Sequence, residues 1–171
     1  MRPVAKSWYL SLRSKVYEFL LMVVAEPWIA TVVVTAVLTG VILRWWVLSG
    51  PLGYMDLDEA TVGLQTAQFL ESPEVFFRNQ PYGGTVETAV VAILFKLFGT
   101  SVLTLKLVPI MLHAISALLM WRAARRLISN TTGQLAVPIV LWCAPAYGVW
   151  WSTKERGFYG ASILAAAATL L

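Results

Sequence analysis

Residues 28–48 form an unbroken apolar run whose only charge is Arg44. As a helix this run is about 31 Å long at roughly 1.5 Å per residue, enough to cross the hydrocarbon of a bilayer. Such a run must be wrapped completely in protein or placed in lipid, and composition favours lipid. The 171 residues are 58% hydrophobic and 13% charged, with mean hydropathy +0.71. Soluble domains carry about a quarter charged residues. Eight Trp and six Tyr suit the membrane–water interface, where amphipathic rings collect. The expected class is therefore an all-α integral membrane protein. The net charge of +4 does not point to nucleic acid, because the cations sit at helix ends and not along one face.

The remaining chain divides at its polar and proline-containing stretches. Residues 1–26 mix cations with aromatic and aliphatic residues and read as a cytoplasmic, interfacial segment. The first span is expected over 27–48. Residues 49–101 form a long loop with helical periodicity over 58–70 and 85–98, the second too short to span and suited to the interface plane. Turn residues around Pro73 and through Gln80-Pro81-Tyr82-Gly83-Gly84 separate the two. A second span is expected over 102–121, with a kink or break at Pro109. A cytoplasmic loop over 122–133 carries Arg122, Arg125 and Arg126. A third span over 134–151 is interrupted by Pro138 and Pro145. An outer turn follows over 152–159, and the apolar run 160–171 reads as the start of a fourth span in a chain that continues. No cleaved signal peptide is expected, since the first apolar run is long enough to stay as an anchor.

Lys and Arg counts in the short flanks orient these elements. The N-terminus and the 122–126 arginines are placed in the cytoplasm of a plasma-membrane protein. The 49–101 loop and the Lys154–Arg156 turn then share the outer side. His113, the only histidine, falls mid-span and reads as a neutral imidazole bonded to a neighbouring helix. Cys143, the only cysteine, rules out an intrachain disulfide and reads as a small buried hydrophobe. Arg44 is placed to snorkel to the outer interface.

The polar chemistry concentrates in Gly53-Tyr54-Met55-Asp56-Leu57-Asp58-Glu59-Ala60, just past the first span. Acids beside hydrocarbon are costly, so such a cluster invites a functional reading. Two other readings stand beside it. Asp56 and Glu59 have the spacing of a helix capping box. Asp56-x-Asp58 is also a DxD, which would hold Mg²⁺ or Mn²⁺ through oxygen ligands. No other cofactor is expected.

The order of these pieces resembles the membrane-embedded glycosyltransferases of the GT-C fold, and most closely the protein O-mannosyltransferase and aminoarabinose-transferase group. The pieces are a span, Asp58-Glu59, a loop helix, Gln80-Pro81-Tyr82-Gly83-Gly84-Thr85-Val86-Glu87, a second loop helix and a span. Phe98-Gly99-Thr100-Ser101 and the arginine-rich end of the second span add to the likeness, which covers roughly residues 28–160. The chain departs from the aminoarabinose branch, which has a Lys-Pro-Pro-Leu-like motif where this chain has Gly83-Gly84-Thr85-Val86-Glu87. Relatives often carry an acid after the third span, in the region that Tyr159-Gly160 occupies here.

The resemblance implies transfer of a sugar from a polyprenyl-phosphate donor to a protein, glycan or lipid acceptor on the outer side. Asp58 is then the expected base for an acceptor hydroxyl, with Glu59 orienting it or the acceptor. Asp56, Tyr82, Glu87 and Tyr159 are expected near substrate. Lys154 and Arg156 are expected to meet the leaving phosphate, with Arg78 a weaker candidate. The two outer cations also suit simple anchoring beside Trp150 and Trp151, and a Glu in a first helical turn, as at Glu87, is favourable without any function. A transporter or flippase subunit, with prolines breaking its spans, and a non-catalytic membrane scaffold are the alternative classes.

Overall fold

The computed structural model describes residues 26–77, 80–143 and 145–171; the side chains of 77–82 also lie outside the description. The expected interfacial segment over 1–26 therefore lies almost wholly outside the described residues, as does Arg78. Two compact units are present, Met1–Leu38 and Thr39–Leu171, with the boundary inside the first helix. The described part of the first unit, residues 26–38, is the entry and first half of α1 (Pro27–Ser49). Pro27 stands at its first position, where a missing N–H costs nothing.

The second unit is built almost entirely of helices: α2 (Leu57–Glu71), α3 (Val86–Phe98), α4 (Val102–Leu127), α5 (Thr131–Cys143), α6 (Ala146–Trp151) and α7 (Tyr159–Thr169). Among the described residues, two helices, α1 and α4, are long and apolar enough to cross a membrane. The α4 side chains sort into two faces. Leu105, Val108, Leu112 and Ser116 are buried, whereas Leu103, Leu107, Met111, Ile115 and Leu118 are exposed at steps of four and three. An apolar stripe on both faces is what a helix needs when its outer surroundings are not water.

The core joins α2, α3, α4 and α7. Val62, Val91, Phe95, Leu105, Val108 and Leu112 form its buried centre, and Phe158 and Leu164 pack against it. Caps fix where the helices begin. Ser101 accepts from the Thr104 amide at 3.0 Å to start α4, and Gly99, at φ 84°, supplies the left-handed residue that ends α3.

Three features differ from the sequence expectations. Residues 76–84 are not only turn: Phe76–Phe77 (β1) and Gln80–Gly84 (β2) pair as a short antiparallel hairpin. Pro109 does not break α4, which continues from Val102 to Leu127. Pro138 likewise lies inside α5, and the break in the expected third span falls at Pro145, where α5 ends and α6 begins. Proline disfavours helical geometry in the residue before it, so a break that precedes Pro145 is the ordinary outcome.

Within the second unit the last turns of α1 meet α5 closely. Gly40 has no side chain, and a Cβ there would overlap the Trp142 indole. Arg44 then lies over that indole, 3.7 Å from the ring centroid, and donates to Gly40 O at 2.9 Å and Trp142 O at 3.0 Å. Arg44 is thus buried between helices and does not snorkel, because two carbonyls and an aromatic face hold it there. His113 behaves as the sequence suggests: its Nε2 meets Leu141 O of α5 at 2.8 Å.

Candidate functional site

The site forms where the start of α2 meets the turn between α6 and α7. Asp56 caps α2, accepting from the Glu59 amide at 3.1 Å, while Glu59 Oε2 accepts from the Asp56 amide at 3.2 Å. The capping box read from the spacing is therefore present in full. It also fixes the next carboxylates in space. Leu57 and Asp58 occupy the first turn and point outward, and Glu59 turns inward.

Glu59 is completely buried and is met by two cations. Lys106 of α4 pairs with its Oε1, and Lys154 of the turn pairs with its Oε2 at 3.1 Å. The Glu155 amide also donates to Oε1, at 3.3 Å. Lys154 donates to Tyr54 O at 2.8 Å and lies 3.4 Å from Asp56 Oδ2. Arg156 bridges Asp56, at 3.2 Å, and Asp58, with its guanidinium 4.9 Å from the Trp151 ring centroid. Three carboxylates thus face three cations. Burial pushes the Asp56 carboxyl up, but the Glu59 amide, Lys154 and Arg156 outweigh it and hold Asp56 below the usual carboxylate range.

These contacts assign different situations to residues that the sequence grouped together. Asp58 is exposed and, among the described residues, is held by Arg156, so its carboxylate is open to the surroundings. Glu59 is sealed in, where it meets the Asp56 and Glu155 amides, Lys106 and Lys154. Lys154 is buried among acceptors, so it is not a free interfacial anchor. Tyr159 is half-exposed and packs edge-on against Trp151, with centroids 5.9 Å apart. Tyr82 lies on β2, and its side chain is outside the described residues.

Glu87 is buried, at the first turn of α3, and its Oε1 accepts from the Ala161 amide at 2.6 Å. Gly160 makes this reach possible, since a Cβ there would overlap the Glu87 carboxylate. Glu155, in the turn, is fully buried; its Oε1 accepts from the Gly157 amide at 2.9 Å, and its Oε2 has no hydrogen-bond partner among the described residues. Burial raises both acids, Glu155 well above the usual range because the Glu87 charge adds to it. A narrow cleft beside this group runs between Pro109 and His113 of α4, Trp151, Ser152 and Lys154, and Gly160.

Two members of the site were not singled out in the sequence. Lys106 is the one Lys or Arg within residues 102–121, and that isolation in an apolar stretch was the available signal. Glu155 sits between Lys154 and Arg156 and reads as part of a solvated turn, although it is fully buried. Among the described residues, no group of three His, Cys, Asp or Glu has the arrangement to hold a metal ion. Asp56 and Asp58, the two DxD carboxylates, both face Arg156. Compared with protein-family models, curated proteins and solved structures, the chain matches none.

Proposed function

We propose that this chain is part of a membrane-embedded transferase that moves a sugar from a polyprenyl phosphate to an acceptor hydroxyl on the outer face. The reading rests on the sequence resemblance. The observation that carries it further is the exposed Asp58, set on a helix start that Asp56, Glu59, Lys106 and Lys154 hold rigidly. A catalytic base needs a fixed position and open access, and this residue has both. The apolar outer face of α4 supports the membrane setting.

In the proposed reaction the acceptor hydroxyl oxygen bonds to the anomeric carbon of the donor while Asp58 takes its proton. The bond from that carbon to the phosphate oxygen breaks, and polyprenyl phosphate leaves with the electron pair. Arg156, partly exposed beside Asp58, is placed to meet the phosphate charge. Glu59, Lys106 and Lys154 touch neither substrate and act by holding the α2 start. The chain is read as spanning the plasma membrane at α1, α4 and the α5–α6 segment, with its N-terminus in the cytoplasm.

The break between α5 and α6 at Pro145 favours a transporter as the second reading, since interrupted helices build midplane sites. One experiment separates the two. Membranes carrying the full-length protein are given a radiolabelled polyprenyl-phosphate sugar. Label joined covalently to an acceptor, with free polyprenyl phosphate released, supports the transferase. Label that crosses the bilayer still attached to its lipid overturns it in favour of transport.

A further inference from the structure

The exposed face of α4 changes character once along its length. Met111, Ile115 and Leu118 are exposed at steps of four and three, and the next step of four reaches Arg122. Arg125 and Arg126 extend that face by another turn and are also exposed. Ala123 and Ala124 between them are buried, so the helix packs there through small residues and turns its arginines outward. Residues 102–121 make about 30 Å of helix at roughly 1.5 Å per residue, the thickness of bilayer hydrocarbon. The arginines begin where that length ends. Met111 to Arg122 covers about 16 Å, close to one leaflet.

The surrounding chain does not balance these charges. Between Glu87 and Glu155 the sequence has no Asp or Glu. The salt bridges of the described residues use Lys106, Lys154 and Arg156, and none of the three arginines. The carbonyl end of α4 supplies about half a negative charge against three positive ones. Part of that end is already taken: the Ile128 amide donates to Ala124 O at 2.8 Å, and Gln134 Nε2 donates to Ile128 O at 2.8 Å. The start of α5 follows at Thr131 and adds to the positive side. Its Gly133 amide is taken by Asn130 Oδ1 at 2.6 Å, whereas the Thr131 and Thr132 amides have no helical acceptor. Arg125 also lies over Trp121, 5.3 Å from the ring centroid, and such a ring favours the level of the headgroups.

We infer that this face binds one anionic phospholipid, its acyl chain along Met111, Ile115 and Leu118 and its phosphate at Arg122, Arg125 and Arg126. Both halves of the face match both halves of that molecule. A guanidinium meets phosphate oxygens through parallel N–H donors, and one helical turn separates the first arginine from the last apolar contact. Free phosphate would satisfy the arginines and leave the stripe uncovered. The bound lipid pins the α4–α5 turn to the membrane surface. The inference rests on α4 crossing the bilayer and not on sugar transfer; in the proposed orientation the lipid belongs to the inner leaflet.

The test takes the full-length protein in detergent and titrates it with phosphatidylglycerol or phosphatidylcholine, counting bound lipids by native mass spectrometry. Each arginine at an anionic lipid surface is worth about fivefold in association, so the three together predict about 100-fold preference for the first phosphatidylglycerol. Replacing all three by Gln should remove that preference. Lys96→Gln, which takes one charge from the exposed end of α3, should leave it unchanged. If the triple variant does not insert, Arg122→Gln alone should lower the preference about fivefold. Millimolar inorganic phosphate should not displace the lipid. No preference in the wild type, a preference kept by the arginine variants or lost in Lys96→Gln, or displacement by inorganic phosphate would overturn the inference. Release of the protein from membranes by alkaline carbonate alone would overturn α4 as a span, and this inference with it. Sugar transfer is not read in this experiment, so its failure is a separate result.

Discussion

Replacing Glu59 by Leu should be among the most damaging changes to the second unit, and the structure sets its size. Glu59 is 0% exposed and its partner Lys106 is 2% exposed. Lys154 keeps Tyr54 O and Asp56 when Glu59 is lost. Lys106 keeps no hydrogen-bonded carboxylate, since Glu59 is its salt-bridge partner. Breaking a buried pair from one side costs about 3–5 kcal/mol, most of it the burden of the stranded charge. For a chain of this size about 2–4 °C of melting temperature is lost per kcal/mol, so a fall of about 6–20 °C is expected. The double variant Glu59→Leu with Lys106→Met removes both charges and should recover most of the loss, because an apolar replacement of a buried pair is often neutral. Thermal unfolding of the purified protein in detergent measures wild type, Glu59→Leu, Lys106→Met and the double variant as a double-mutant cycle. A single variant within 1 kcal/mol of wild type, or a double variant no better than the single, would refute the argument that Lys106 depends on Glu59.

Other consequences follow from the same geometry. Stability should respond to pH in two opposite senses. The raised Glu87–Glu155 pair favours the fold below the ordinary carboxylate range, so stability should fall, by about 1.4 kcal/mol per pH unit for one proton, as pH rises from that range through the raised value. The lowered Asp56 acts in the opposite sense, and its contribution should disappear as pH falls through its depressed value. Denaturation followed against pH in wild type and Glu155→Gln separates the two arms. Gly160→Ala should cost about 1–3 kcal/mol by forcing the Glu87 carboxylate out of its place, measurable as a drop in melting temperature that a change at solvent-exposed Leu57 does not produce. Gly40→Ala should displace the Trp142 indole and with it the Arg44 guanidinium, seen as a shift in tryptophan fluorescence together with lost stability. In a Cys143→Ser background, cysteines placed at the exposed positions Leu57 and Leu127 should react differently with an impermeant maleimide: the first in intact cells, the second only after permeabilisation.

The start of α2 was legible because its signals are local. Asp56 and Glu59 lie three residues apart, and a capping box needs nothing beyond that spacing. The His113 bond to α5 was also legible, since a lone imidazole in an apolar helix must find an acceptor. The partners of Glu59 were not legible. Lys106 lies 47 positions away, and the Glu155 amide 96. Charge counts along the chain do not say which cation will be folded inward. Arg44 was misread for the same reason, because only the packing of Gly40 against Trp142 brings its two carbonyl acceptors together. Pro109 and Pro138 do not interrupt their helices, which continue through them. The hairpin over 76–84 is too short to show a period of two.

The central claim is that Asp58, fixed by its buried neighbours but itself open, takes the acceptor proton in a sugar transfer. Asp58→Asn in the full-length protein tests it most directly, because the residue is exposed and its loss leaves the Glu59–Lys106–Lys154 cluster in place. Initial transfer rates from a radiolabelled polyprenyl-phosphate sugar are compared at matched amounts of folded protein. The account predicts a rate at least 100-fold below wild type, as loss of a general base does, with the melting temperature nearly unchanged. Transfer at the wild-type rate by folded Asp58→Asn would contradict it.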